Sequence, residues 1–144
     1  MSSRINQSPK RIFECFLEVV RPQDNSSQPW IIQSFPTAFK DSQDDRLKSV
    51  PQFTFPCYTT TVSQIQHFSF VLTNLEAQWT YGFCRYSPNS DTALCILSYL
   101  PWHELFYKVL NQCAELIQSS GRREGRREGN VETNSNSDYS VQAS

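Results

Sequence analysis

Glycine is almost missing from the bulk of this sequence. Of its four glycines, Gly121, Gly125 and Gly129 fall near the C-terminus, which leaves Gly82 alone in the first 120 residues. A loop that wraps phosphate needs several glycines at fixed spacing before a helix, so neither a P-loop nor a dinucleotide fingerprint can form. Metal-binding spacing is missing as well. Cys15, Cys57, Cys84, Cys95 and Cys113 all sit in apolar runs, no two of them within four residues, and His67 and His103 stand apart. This excludes the usual zinc patterns. The odd number of thiols and the lack of a hydrophobic leader fit reduced core cysteines of a cytoplasmic protein. No apolar run reaches the ~18 residues of a membrane span. Ser2 occupies the place where myristoylation requires glycine. The net charge of −1 offers no broad positive footprint for nucleic acid.

What the sequence does have is aromatic residues, 13% of the total, and nearly all of them lie between Phe13 and Tyr107. One domain of this length can bury roughly two thirds of its unfolded surface. The organising stretch is 92–121. Ala93 to Leu100 is apolar at almost every position, which predicts a strand covered on both faces. Pro101 ends it and suits the first turn of a helix. From Trp102, apolar residues recur at helical spacing: Leu105, Phe106, Val109, Leu110, Cys113, Leu116 and Ile117. Gly121 predicts the helix stop.

Upstream, Ile12–Val20 reads as a strand with Phe13, Cys15, Leu17 and Val19 on an apolar face and Glu14 and Glu18 on a partly wet one. Trp30–Phe35 reads as a short strand ended by Pro36. Residues 37–49 read as irregular, with one helical turn near Asp44 to Leu47. Gln52–Tyr58 carries Pro56 and reads as an edge or a packed loop. His67–Thr73 and Trp79–Tyr86 alternate, with turns at 74–78 and 87–91, and complete an antiparallel meander. A sheet followed by a covering helix is an α+β plan. Residues 1–120 are the expected module. Residues 121–144, opening on a Gly-Arg-Arg-Glu repeat and then rich in Asn and Ser, are expected to be a disordered tail.

Two chemical readings fail on count. A thiol site would need Cys84 or Cys57 beside His67, but His67 starts a strand and is expected to face solvent. Base stacking on Phe68, Phe70, Trp79, Tyr81 and Phe83 would lack cations, because Arg85 is the only Lys or Arg from His67 to Asp91. No catalytic, cofactor-binding or metal-binding residue is assigned, and neither nucleic acid nor a transmembrane segment is expected.

The ordered set Phe68-Val71-Leu72-Thr73, Tyr81-Gly82-Phe83-Cys84-Arg85, Cys95 to Trp102 and Leu105-Phe106-Tyr107-Lys108 resembles the upstream module of DENN-domain proteins, nearest the connecdenn subfamily. Phe53, Phe55, Pro56 and the first seven residues also fit, and the likeness covers about residues 1–118. The resemblance implies a longin-like fold and a role as guanine nucleotide exchange factor for a Rab-family GTPase. It places the protein in the cytoplasm, recruited peripherally to endocytic or clathrin-coated vesicle membranes. Clathrin-adaptor contacts belong to the full-length protein only. Exchange in the family uses a cleft shared with a central module, for which the Arg-Arg-Glu tail stands here, as in a truncated or spliced product. The implied exchange activity is therefore weak or absent, and the alternative is a longin-type scaffold without exchange activity. As an exchange factor the chain is a regulator with no catalytic residues of its own. Exposed turn and strand positions Asn74, Glu76, Arg85 and Asn89 are the candidate partner contacts.

Overall fold

The computed structural model describes residues 3–24, 26–55, 63–88 and 90–128. The chain divides into two compact units, residues 1–111 and 112–144. The described part of the second is the distal portion of a helix.

The first unit is built on one five-stranded antiparallel sheet in the order β2-β1-β5-β4-β3. The strands are β1 (Cys15–Val20), β2 (Trp30–Phe35), β3 (Gln66–Thr73), β4 (Trp79–Tyr86) and β5 (Thr92–Ser98). β3, β4 and β5 form the expected meander. β5 is apolar at nearly every position because it lies at the centre with both faces covered, and every residue from Ala93 to Ser98 is buried. The helices are α1 (Thr37–Lys40), α2 (Arg46–Thr54) and α3 (His103–Glu128).

The two faces of the sheet follow from the alternation of the strands. Cys15, Leu17, Val19, Cys84, Ala93, Cys95, Leu97 and Leu72 point to one side, where Val50 and Phe55 close over them and Phe39 and Leu47 pack at the margin. On the opposite side the start of α3 lies on β4. Phe106 stacks on Phe83 with ring centroids 4.8 Å apart, while Tyr107 and His103 meet Phe83 edge-on at 6.0 and 5.0 Å. Trp102, Leu105 and Val109, on the outer part of the same helix stripe, remain exposed.

Several expectations change. α2 occupies part of the irregular stretch and the start of the Gln52–Tyr58 segment, with Pro51 inside the helix. Burial of Val50 and Thr54 against the sheet outweighs the missing proline N–H. Positions 56–58 lie outside the described residues. The aromatic stripe divides between the faces. Phe68 and Phe70 lie on the α2 side with Cys84 and Gly82, and Tyr81 and Phe83 lie under α3. Glu18 is not wet. It is buried, and its carboxylate accepts from Gln33 Nε2 at 2.6 Å and Thr92 Oγ at 2.9 Å. The helix runs through Gly121 to Glu128, since the Arg and Glu residues that follow are good helix formers. Residues 129–144 of the expected tail lie outside the described residues.

Candidate functional site

The β3–β4 turn is shaped by one side chain. Asn74 Oδ1 accepts from the backbone N–H of Glu76 at 3.0 Å and of Gln78 at 2.8 Å, and Asn74 N–H donates to the Gln78 carbonyl. An Asx turn of this kind lets Ala77 take a left-handed φ of 60°. The turn projects Leu75 fully into solvent, beside Glu76.

Facing it, the chain enters α2 through a second local device. Asp44 accepts from the Arg46 backbone N–H at 3.0 Å and grips the Arg46 guanidinium at Nε and Nη2, the closest contact being 2.6 Å. Arg46 also donates toward Tyr99 Oη at 3.3 Å and lies over the Phe39 and Tyr99 rings. The Arg46 guanidinium holds the Asp44 carboxyl below its usual range, and the bond to Asp44 raises the guanidinium in turn. Both charges are therefore fixed near neutral pH.

Between the turn and the start of α2 lies an open cleft of about 560 Å³. Its walls are Asp44, Asp45 and Arg46 on one side and Asn74, Leu75 and Glu76 on the other, with Thr80 and Tyr99 at its floor. An exposed leucine beside carboxylates suits a protein partner that offers an apolar contact next to a cation.

The candidate contacts fall in different places. Asn74 and Glu76 line this cleft together. Arg85 is near the far end of β4, about 17 Å along the strand from Thr80 at ~3.3 Å per residue. It is buried, and its Nε donates to Asn111 Oδ1 of α3 at 2.9 Å. The same Asn111 oxygen meets His67 Nε2 at 2.8 Å, and the His67 ring packs against Tyr107 at 5.1 Å. His67 thus helps hold α3 rather than facing solvent. Asn89 lies outside the described residues. Asp44, Arg46 and Tyr99, absent from the sequence expectation, gather only on folding; the Asp-x-Arg spacing before Leu47 was their one local signal.

Cys57 lies outside the described residues, and the described thiols do not form a reactive site. Cys84 shares a face with Phe68, whereas His67 projects from the other side of β3. Burial pushes the Cys15 thiol up to about 12. The hydrogen bond with Cys84, joined by burial, raises Cys95 well above the ordinary range. Raised thiols make poor nucleophiles. Among the described residues no three His, Cys, Asp or Glu side chains cluster as metal ligands, and no helix is long and apolar enough to cross a membrane.

Residues 29–86 match the uDENN domain. The chain is 40% identical over 138 residues to human DENN domain-containing protein 1A, covering 92% of this chain and 13% of that protein. It is 41% identical over 120 residues to mouse DENN domain-containing protein 1B, covering 81% and 15%. Mouse DENN domain-containing protein 1C is 35% identical over 120 residues, again 81% and 15%. The chain thus spans 13–15% of the length of these relatives. With its five-stranded antiparallel sheet and C-terminal helix in a longin-like α+β arrangement, the chain belongs to the DENN-domain family and carries its N-terminal uDENN module.

Proposed function

We propose that this chain, with residues 1–120 as its module, is the N-terminal part of a Rab guanine nucleotide exchange factor of endocytic membrane traffic. In this reading it is recruited peripherally from the cytoplasm to endocytic or clathrin-coated membranes, and clathrin-adaptor contacts reside in other parts of the longer protein. The observation that carries the proposal is the 40% identity to DENN domain-containing protein 1A across 92% of the chain. The cleft between Asp45 and the Leu75–Glu76 turn is the part of the surface we assign to the GTPase.

An exchange factor acts by holding the nucleotide-free GTPase better than the loaded one. That preference requires differential contact with the nucleotide-sensing loops and no catalytic group of its own. A stable interface takes about 800 Å² per partner. A module that is 13–15% of its relatives supplies only a share of such a clamp. Its grip is accordingly weak and its effect on nucleotide release small.

The experiment is a pull-down of nucleotide-free and loaded Rabs with the 144-residue chain, alongside release of a fluorescent nucleotide. Preferential capture of a nucleotide-free Rab, with release accelerated less than about tenfold, is the expected result. Failure to retain any Rab in any nucleotide state removes the proposal. Equal capture of both states with unchanged release would point instead to a scaffold.

A further inference from the structure

The two outer strands of the sheet are treated differently. An edge strand presents unpaired N–H and C=O groups, and proteins blunt such edges with bulges, Lys, Pro or a covering segment. β2 has these devices. Its register with β1 is broken by a bulge between Glu18 and Val19. Lys40 Nζ donates to the Ile32 carbonyl at 3.0 Å, and the Lys40 N–H donates to Ser34 Oγ at 3.0 Å, so α1 is strapped to that edge.

Among the described residues β3 has none of them. Its eight residues, Gln-His-Phe-Ser-Phe-Val-Leu-Thr, include no Lys, Arg, Asp, Glu, Pro or Gly. Its pairing with β4 runs without a bulge from Gln66 opposite Tyr86 to Thr73 opposite Trp79. Among the described residues no strand pairs with its outer side. The flank is apolar: Ile65, Phe53 and Val71 are each about half exposed, and Phe53 stacks on Phe70 at 5.2 Å.

We infer that β3 pairs antiparallel with β3 of a second copy of this chain, joining two sheets into one of ten strands. The strand is suited to its own copy. A two-fold axis normal to the sheet at Phe70 keeps each face aligned. It sets Phe70 against Phe70 of the second copy, Phe68 against Leu72, Ser69 against Val71 and His67 against Thr73. On the α2 side the pairs are aromatic or aliphatic, the cross-strand chemistry that favours pairing, and on the other side Ser69 meets Val71 and His67 meets Thr73. No carboxylate or ammonium on the strand meets its own like across the axis. The main-chain hydrogen bonds supply the attraction, and Phe53 and Ile65 extend the apolar contact beyond the strand.

The area is at the small end for a dimer, so association is expected between about 5 and 200 µM. Sedimentation of the 144-residue chain over that range is expected to rise from 16.7 kDa toward twice that mass. Hydrogen exchange is expected to slow at β3 amides as concentration rises. Val71→Lys sets an ammonium on the pairing edge and is expected to stay at the monomer mass with a cooperative melt. Ile32→Lys, on the protected edge, is expected to associate as the parent does. The inference is overturned if the parent chain stays monomeric throughout, or if folded Val71→Lys associates like the parent. Concentration-dependent protection appearing on β2 or α3 instead of β3 also overturns it. Should Val71→Lys not fold, the exchange pattern of the parent chain decides.

Discussion

Under α2 the sheet offers small and aliphatic groups, Cys15, Leu17, Val19, Ala93, Cys95 and Leu97, sealed by Val50 and Phe55. Under α3 it offers rings and a polar bridge: Phe83 is enclosed by Phe106, Tyr107, His103 and Tyr81, and Asn111 joins Arg85 and His67. The first face is closed mostly by volume, with two ring contacts, Phe53 stacked on Phe70 and Phe55 edge-on to Tyr86. The second is directional, because stacked rings and a shared amide oxygen fix where α3 sits along β4. The difference teaches where the module tolerates change. The α2 face accepts substitutions that keep volume, whereas the α3 face depends on particular partners.

The largest break in that comparison is Phe83→Ala. Phe83 is completely buried, and its loss is expected to cost about 3–5 kcal/mol in a denaturant melt. Hydrogen exchange is expected to quicken in residues 103–111 before β1. Equal acceleration on both faces would mean that the rings do not position the helix.

Asn111→Ala comes next. It removes the oxygen that both His67 Nε2 and Arg85 Nε use, with an expected loss of about 1–3 kcal/mol. A change below a few tenths would show that the amide is incidental.

The entry to α2 tests the other side through pH. Arg46 holds the Asp44 carboxyl below its unfolded value, so the pair's contribution is fully present above about pH 4 and fades as the pH falls through the folded value. The pair is partly exposed, so the effect is expected to stay under about 1 kcal/mol. Asp44→Asn is expected to flatten that limb of the stability profile. An unchanged acid limb in the variant would contradict the assignment.

The smallest effect concerns the thiols. Cys15, Cys84 and Cys95 are expected to label about 100-fold or more slowly than the half-buried Cys113, with stability untouched before modification. Fast labelling of Cys84 would revive a reactive site on the α2 face.

The parts of this architecture that could be read from sequence are those whose burial repeats. Trp79–Tyr86 alternates in sequence and Trp30–Phe35 ends at Pro36, and the structure gives both strands those bounds. The stripe from Trp102 announces α3, although of that helix only Phe106, Leu110 and Ala114 are buried among the described side chains. α2 was hidden because its short stripe, Leu47, Val50 and Thr54, is interrupted by Pro51, and only contact with the sheet makes it helical. The same holds for the cleft. Asn74 and Glu76 announce a turn, but Asp44, Arg46 and Tyr99 are separated by up to 55 residues and meet through the sheet order. Gly82 carries its reason in space rather than in conformation: a Cβ there would fall on the Phe70 ring.

The measurement closest to the central claim is capture of nucleotide-free Rab by the parent chain and by Leu75→Ala/Glu76→Lys. Both positions are exposed on the turn, so the variant is expected to melt within about 0.5 kcal/mol of the parent. The parent is expected to prefer nucleotide-free Rab, and the variant is expected to lose most of that capture. A parent that retains no Rab, or a variant that retains it undiminished, would contradict the assignment of this cleft as the module's working surface.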